Sequence, residues 1–141
     1  MFDNPGTDRI RQLLDEVHTI AVVGLSPKAD RPSHGVAKAM QGFGYRLVPV
    51  NPGQPVLLGE TCYPTLSAIP AEVRASIDLI DVFRQSDAVS GIVDECIALG
   101  FRRLWLQDGV IDEVAARRAT AAGIEVVMDR CVYRDYVHLK R

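Results

Sequence analysis

No run in the 141-residue chain is apolar for long enough to cross a bilayer, and Met1-Phe2-Asp3-Asn4 does not open a signal peptide. A cytoplasmic protein is therefore expected. Positive charge is not in excess: 16 Lys and Arg against 18 Asp and Glu leave a formal net charge of −2, which argues against nucleic acid as the main partner. Cysteine is scarce, and Cys62, Cys96 and Cys131 form no C-x-x-C pair, which argues against a disulfide framework and a patterned zinc site. Catalytic signatures are missing as well. There is no nucleophile elbow, no H-E-x-x-H helix and no paired-carboxylate site, and His18, His34 and His138 are scattered. A binding role is expected ahead of an enzymatic one.

At 48% hydrophobic and 24% charged residues, the composition suits one soluble domain over residues 1–141. Its plan is strand then helix, repeated. Ile10, Leu13, Leu14 and Val17 fall on one helical face behind the N-cap candidate Thr7, and Thr19–Val23 follows as the first strand. Val36, Ala37, Met40 and Phe43 mark a second helix that Gly44 stops, before a second strand over 45–50. Pro55, Pro64 and Pro70 make 54–76 mostly loop, with one short helical turn at 65–68 or 71–74. The third strand is 77–82. Ser86 caps a helix carrying Val89, Ile92, Val93, Cys96 and Ile97, which ends at Gly100. A fourth strand over 103–106, an alanine-rich helix over 111–122 and a fifth strand over 125–128 complete the series.

Short apolar strands alternating with helices predict an α/β, three-layer Rossmann-like fold. Its parallel sheet has five strands in the order 3-2-1-4-5, with helices on both faces. Such sheets bind ligands at the carboxyl edge, where strands one and four part. Gly24-Leu25-Ser26 stands at that edge as a strand, a tight glycine turn and the approach to a helix, an arrangement suited to an anion. The anion is narrowed by what is missing. From Gly24 the next glycine is Gly35, so the dinucleotide pattern G-x-G-x-x-G is absent, and strand two ends in Asn51-Pro52 without the acid that holds an NAD ribose. Lys28 is not followed by Ser or Thr, which excludes a Walker loop.

The stretch from Ile20 through Gly24-Leu25-Ser26, then Arg31-Pro32-Ser33, Val48-Pro49-Val50-Asn51-Pro52, Leu58-Gly59-Glu60 with Tyr63, Asp81-Val82-Phe83-Arg84, Leu104-Trp105-Leu106-Gln107 and Val126 to Cys131 together resemble one family. It is that of small stand-alone Rossmann-type CoA-binding proteins, whose domain also resembles that of succinyl-CoA synthetase α subunits. The resemblance implies coenzyme A or an acyl-CoA as the small-molecule ligand. On this resemblance Gly24, Leu25, Ser26, Ser33 and Arg31 would hold the pyrophosphate. Val50, Asn51 and Pro52 would wall the adenosine, Phe83 and Arg84 would stand by the adenine or the mouth, and Gln107 would meet a pantetheine amide. Many relatives place a basic residue after the Asn-Pro pair, where this chain has Gly53-Gln54, and Asp108 sets a negative charge by the pantetheine path.

Two other classes compete. One is an NAD(P)-dependent oxidoreductase or other nucleotide-binding enzyme, and the other is a CoA-responsive subunit acting through a protein partner. The basic, aromatic stretch 133–141 is a candidate contact for such a partner or for a second copy in a homodimer. No membrane partner is expected.

Overall fold

The computed structural model describes residues 2–140. Helix α1 (Thr7–Glu16) buries Ile10, Leu13 and Leu14, and Gly6, not Thr7, stands at its N-cap. Strand β1 (Thr19–Val23) is buried at every position. Helix α2 (Pro32–Gly42) has its proline in the first turn, where a missing N–H costs nothing, and β2 (Arg46–Val50) follows. Strands β3 (Val56–Leu57) and β4 (Glu60–Thr61) then form a small antiparallel hairpin. The prolines of that stretch predict loop there, and the hairpin is a departure from it. Leu58 and Gly59 turn it with φ of 51° and 77°, the left-handed pair of a tight hairpin turn.

Helix α3 (Ala71–Arg74) is the short turn expected at the second of its two candidate places, and β5 (Leu79–Val82) follows. A 3-10 turn over Ser86–Ala88 leads into α4 (Val89–Leu99). Ser86 does not cap that helix. Its hydroxyl accepts from Ile111 N–H at 2.9 Å and donates to Gly109 O at 3.3 Å, tying α4 to the loop beyond the next strand. Strand β6 (Arg103–Leu106), helix α5 (Glu113–Ala121) and β7 (Glu125–Val127) match the expected series, and Asp112 caps α5 by accepting from Ala115 N–H at 3.0 Å.

The C-terminal stretch is a helix, α6 (Val132–Lys140), lying on the domain itself. Tyr136 stacks on Phe43 with ring centroids 4.1 Å apart, and Lys140 pairs with Asp15 of α1. Arg141, counted in that stretch, and Met1 lie outside the described residues.

The main sheet runs β2-β1-β5-β6-β7, all parallel. Beyond β2, Tyr63 makes a single parallel bridge to Val50, with Asn51 N–H donating to Tyr63 O at 2.9 Å and Tyr63 N–H to Pro49 O at 3.0 Å. This bridge holds the third place in the expected order 3-2-1-4-5. The strand at 79–82, counted third from the sequence, takes the fourth place beside β1. Pro64, directly after Tyr63, has no N–H to donate and keeps the edge from growing into a longer strand.

Alternate residues serve the two faces. Ile20, Val22, Leu47, Leu79 and Trp105 pack under α1, α2 and α6, while Ala21, Val23, Val48, Ile80 and Leu104 pack under α4 and α5. At the far edge Asn4 engages Met128 twice, donating to its carbonyl at 2.9 Å and accepting its N–H at 2.7 Å.

Candidate functional site

At the carboxyl edge, neighbouring β1 and β5 send their chains to opposite faces, β1 to α2 and β5 to α4. Their parting opens a crevice, the switch point of a doubly wound sheet. Gly24 turns there at φ 86°, and a Cβ on it would meet Phe83 O at 2.3 Å and Arg84 Cδ at 2.9 Å. The glycine is thus demanded by the neighbouring chain itself.

The loop that follows is pinned from within. Gly24 N–H donates to Val50 O at 3.0 Å, Ser26 N–H to Ser33 Oγ at 2.9 Å, and Lys28 N–H to Ser26 Oγ at 3.1 Å. Ser33 therefore ties down the loop and does not cap α2, whose N-cap position is Arg31. Asn51 clamps the same loop from β2. Its Nδ2 donates to Leu25 O at 2.9 Å and its Oδ1 accepts from Gly53 N–H at 2.8 Å.

Two lobes meet at the crevice and share Gly24, Phe83 and Arg84. The first, of about 480 Å³, adds Ser26, Arg31, Ser33 and Gln107 from the expected set. The second, of about 410 Å³, adds Val50, Asn51 and Pro52. Leu25 lines neither; its side chain turns fully into the core beneath α1 and α2. Residues the sequence reading had not assigned complete the walls. Lys28 and Val110 border the first lobe, and Thr65, Leu66 and Glu95 the second. The lysine in a loop already marked as an anion cradle was the available signal for the first. Glu95 had none, because α4 reaches the lobe only through the crossover.

Charge is unevenly compensated around the crevice. Among the described residues none of Lys28, Arg31 and Arg84 forms a salt bridge, whereas most other ion pairs lie on helices away from the cleft. Asp108, the acid in the first lobe, is neutralised by Arg134 of α6, with two contacts of 2.8 and 2.9 Å. That guanidinium holds the Asp108 carboxyl below the usual carboxylate range. The electrostatic balance of the first lobe is cationic. The first turn of α2 adds to it, since Ser33 N–H has no acceptor among the described residues.

Behind the first lobe lies Asp81, 1% exposed in the middle of β5. Burial pushes its carboxyl up to about 7, against the pull of hydrogen bonds from Gln107 and the Val82 backbone. Gln107 Nε2 donates to Asp81 Oδ1 at 2.6 Å, and Gln107 Oε1 accepts from Val132 N–H at 3.4 Å.

These features define a Rossmann-type α/β domain with a two-lobed cleft at its switch point. The chain belongs to the CoA binding domain family, whose sequence pattern matches residues 18–136. It is 37% identical over 131 residues to the uncharacterized protein YneT of Bacillus subtilis (strain 168), covering 93% of this chain and 94% of that one. A hypothetical protein from Pyrococcus horikoshii OT3 superposes with a TM-score of 0.89 at 30% identity, covering both chains in full. Acetate–CoA ligase (ADP-forming) I of Archaeoglobus fulgidus is 25% identical over 123 residues, which cover 80% of this chain and 17% of the ligase.

Gly24→Ala is expected to cost at least about 2 kcal/mol in urea unfolding, from the left-handed backbone and the clash with Phe83 O. A second expectation concerns pH. The native Asp81 carboxyl holds its proton more tightly than the unfolded one, so its stabilising contribution is complete below about pH 4 and is lost as pH rises through about 7. Asp81→Asn cannot ionise. Its advantage over the unaltered chain in thermal unfolding should therefore grow from about pH 4 to about pH 7 and level off above, by on the order of 4 kcal/mol at most.

Proposed function

We propose that the chain binds coenzyme A or an acyl-CoA along the switch-point cleft and holds it without transforming it. The observation that carries this reading is the convergence of three unpaired cations, Lys28, Arg31 and Arg84, on a cleft that also receives the first turn of α2. A pyrophosphate needs such a place, because its charge is stabilised by planar guanidinium donors and by the partial positive charge of a helix start.

The two lobes then divide the rest of the ligand. The lobe walled by Val50, Asn51, Pro52 and Leu66 receives the adenosine against an apolar floor. Asn51 shapes that wall by holding Leu25 O with its Nδ2 and Gly53 N–H with its Oδ1. The lobe of Phe83, Gln107 and Val110 receives the pantetheine arm, which is neutral and amphipathic. Asp108 does not repel it, being paired with Arg134. An NAD(P) role fits less well because Asn51-Pro52 offers no carboxylate to the ribose hydroxyls.

A ligand that binds only the native state raises its melting temperature by mass action, so a thermal-shift panel tests the reading. CoA and acyl-CoAs should raise the melting temperature, with smaller shifts from NAD(P)(H), ATP and ADP. A larger shift from a nicotinamide nucleotide would overturn the reading. Arg31→Ala should weaken CoA binding about tenfold and flatten its dependence on salt, as measured by calorimetry. Unchanged affinity would place the pyrophosphate elsewhere.

A further inference from the structure

We infer that Asp81 is a positioning residue of the cleft: it fixes the Gln107 amide so that the side chain offers an N–H, and not an oxygen, to the arm of a bound ligand. The inference rests on the reading of the cleft as a CoA site.

Residue 105 pairs with Asp81 in the sheet register, and Gln107 lies two residues beyond it on the same face. That face is the one covered by α6, and the amide of Gln107 sits between two fixed groups, Asp81 Oδ1 at 2.6 Å and Val132 N–H at 3.4 Å. A backbone N–H only donates. Above about pH 7, where Asp81 is ionised, turning the amide over would set the Gln107 nitrogen against Val132 N–H and the Gln107 oxygen against the carboxylate, two mismatches between buried groups. Asp81 and Gln107 are 1% and 4% exposed.

An amide nitrogen carries two hydrogens, and Asp81 takes one. The other is left for the cleft that Gln107 lines. What a pantetheine arm presents to such a donor is the carbonyl oxygen of one of its two amides. Asp81 itself does not line the cleft, and a leucine of similar size would occupy its place without the cost of burying a carboxyl. A role through Gln107 accounts for a carboxylate in that position.

Four variants and two ligands test this by calorimetry above about pH 7. Asp81→Leu should weaken CoA about tenfold while leaving adenosine 3′,5′-bisphosphate, which has no arm, within about twofold of the unaltered chain. Asp81→Asn keeps an acceptor for Gln107 Nε2 and should restore CoA binding to within about threefold. In a Gln107→Leu background the Asp81→Leu change should alter CoA affinity less than about twofold. Equal loss of both ligands, failure of Asp81→Asn to restore binding, or a full effect of Asp81→Leu without Gln107 would each overturn the role of Asp81 alone. Absence of CoA binding by the unaltered chain would instead remove the reading on which it rests.

Discussion

The carbonyl of Phe83 occupies the space where a side chain at position 24 would stand, only 2.3 Å from an ideal Cβ. This close approach of β1 and β5 sets the geometry of the cleft. Because the chains touch and then leave for opposite faces, the crevice between them is narrow at its floor and open above. Arg84 follows Phe83 directly and so borders both lobes, and the loop beyond Gly24 begins where its serines and Asn51 can pin it.

A second dependence runs through α6. The helix is anchored at its start by Val132, wholly buried beneath it, and by Arg130, whose guanidinium makes contacts of 2.7 and 2.8 Å to the buried Asp135. Trp105 Nε1 donates to Arg130 O at 2.8 Å, so the core tryptophan holds the same corner. From that corner Arg134 reaches Asp108 and Val132 N–H reaches Gln107. The helix thus contributes no wall to the cleft yet sets both the charge and the polarity of one end.

Much of this was legible from residue patterns. The five parallel strands stand within a few residues of their expected positions because each is a short apolar run between turn formers. The cleft side of Gly24, Arg31, Phe83 and Arg84 followed from strand ends alone. Three things were not legible. The hairpin turns on Leu58 at φ 51°, a position where leucine is an unexpected residue. The place of β5 beside β1, and not beyond β2, is a long-range matter that local pattern does not decide. The chemistry of Ser33 and Asn51 suits a ligand contact and a loop clamp alike, and only their distances to Ser26 and Leu25 reveal the clamp. Helix α6 did carry a signal. Val132, Tyr136 and Leu139 fall at helical spacing, under a basic composition that drew attention to partners.

The pair of hydrogen bonds between Asn4 and Met128 bears on the exposed margin of the sheet. An amide side chain that satisfies both backbone groups of a residue stands in for a neighbouring strand, and it does so at the outer margin of the sheet. At the opposite margin the Tyr63 bridge and the Pro64 that follows it play the same part. Backbone pairing with another sheet is thereby opposed at Met128 on one margin and at Pro64 on the other.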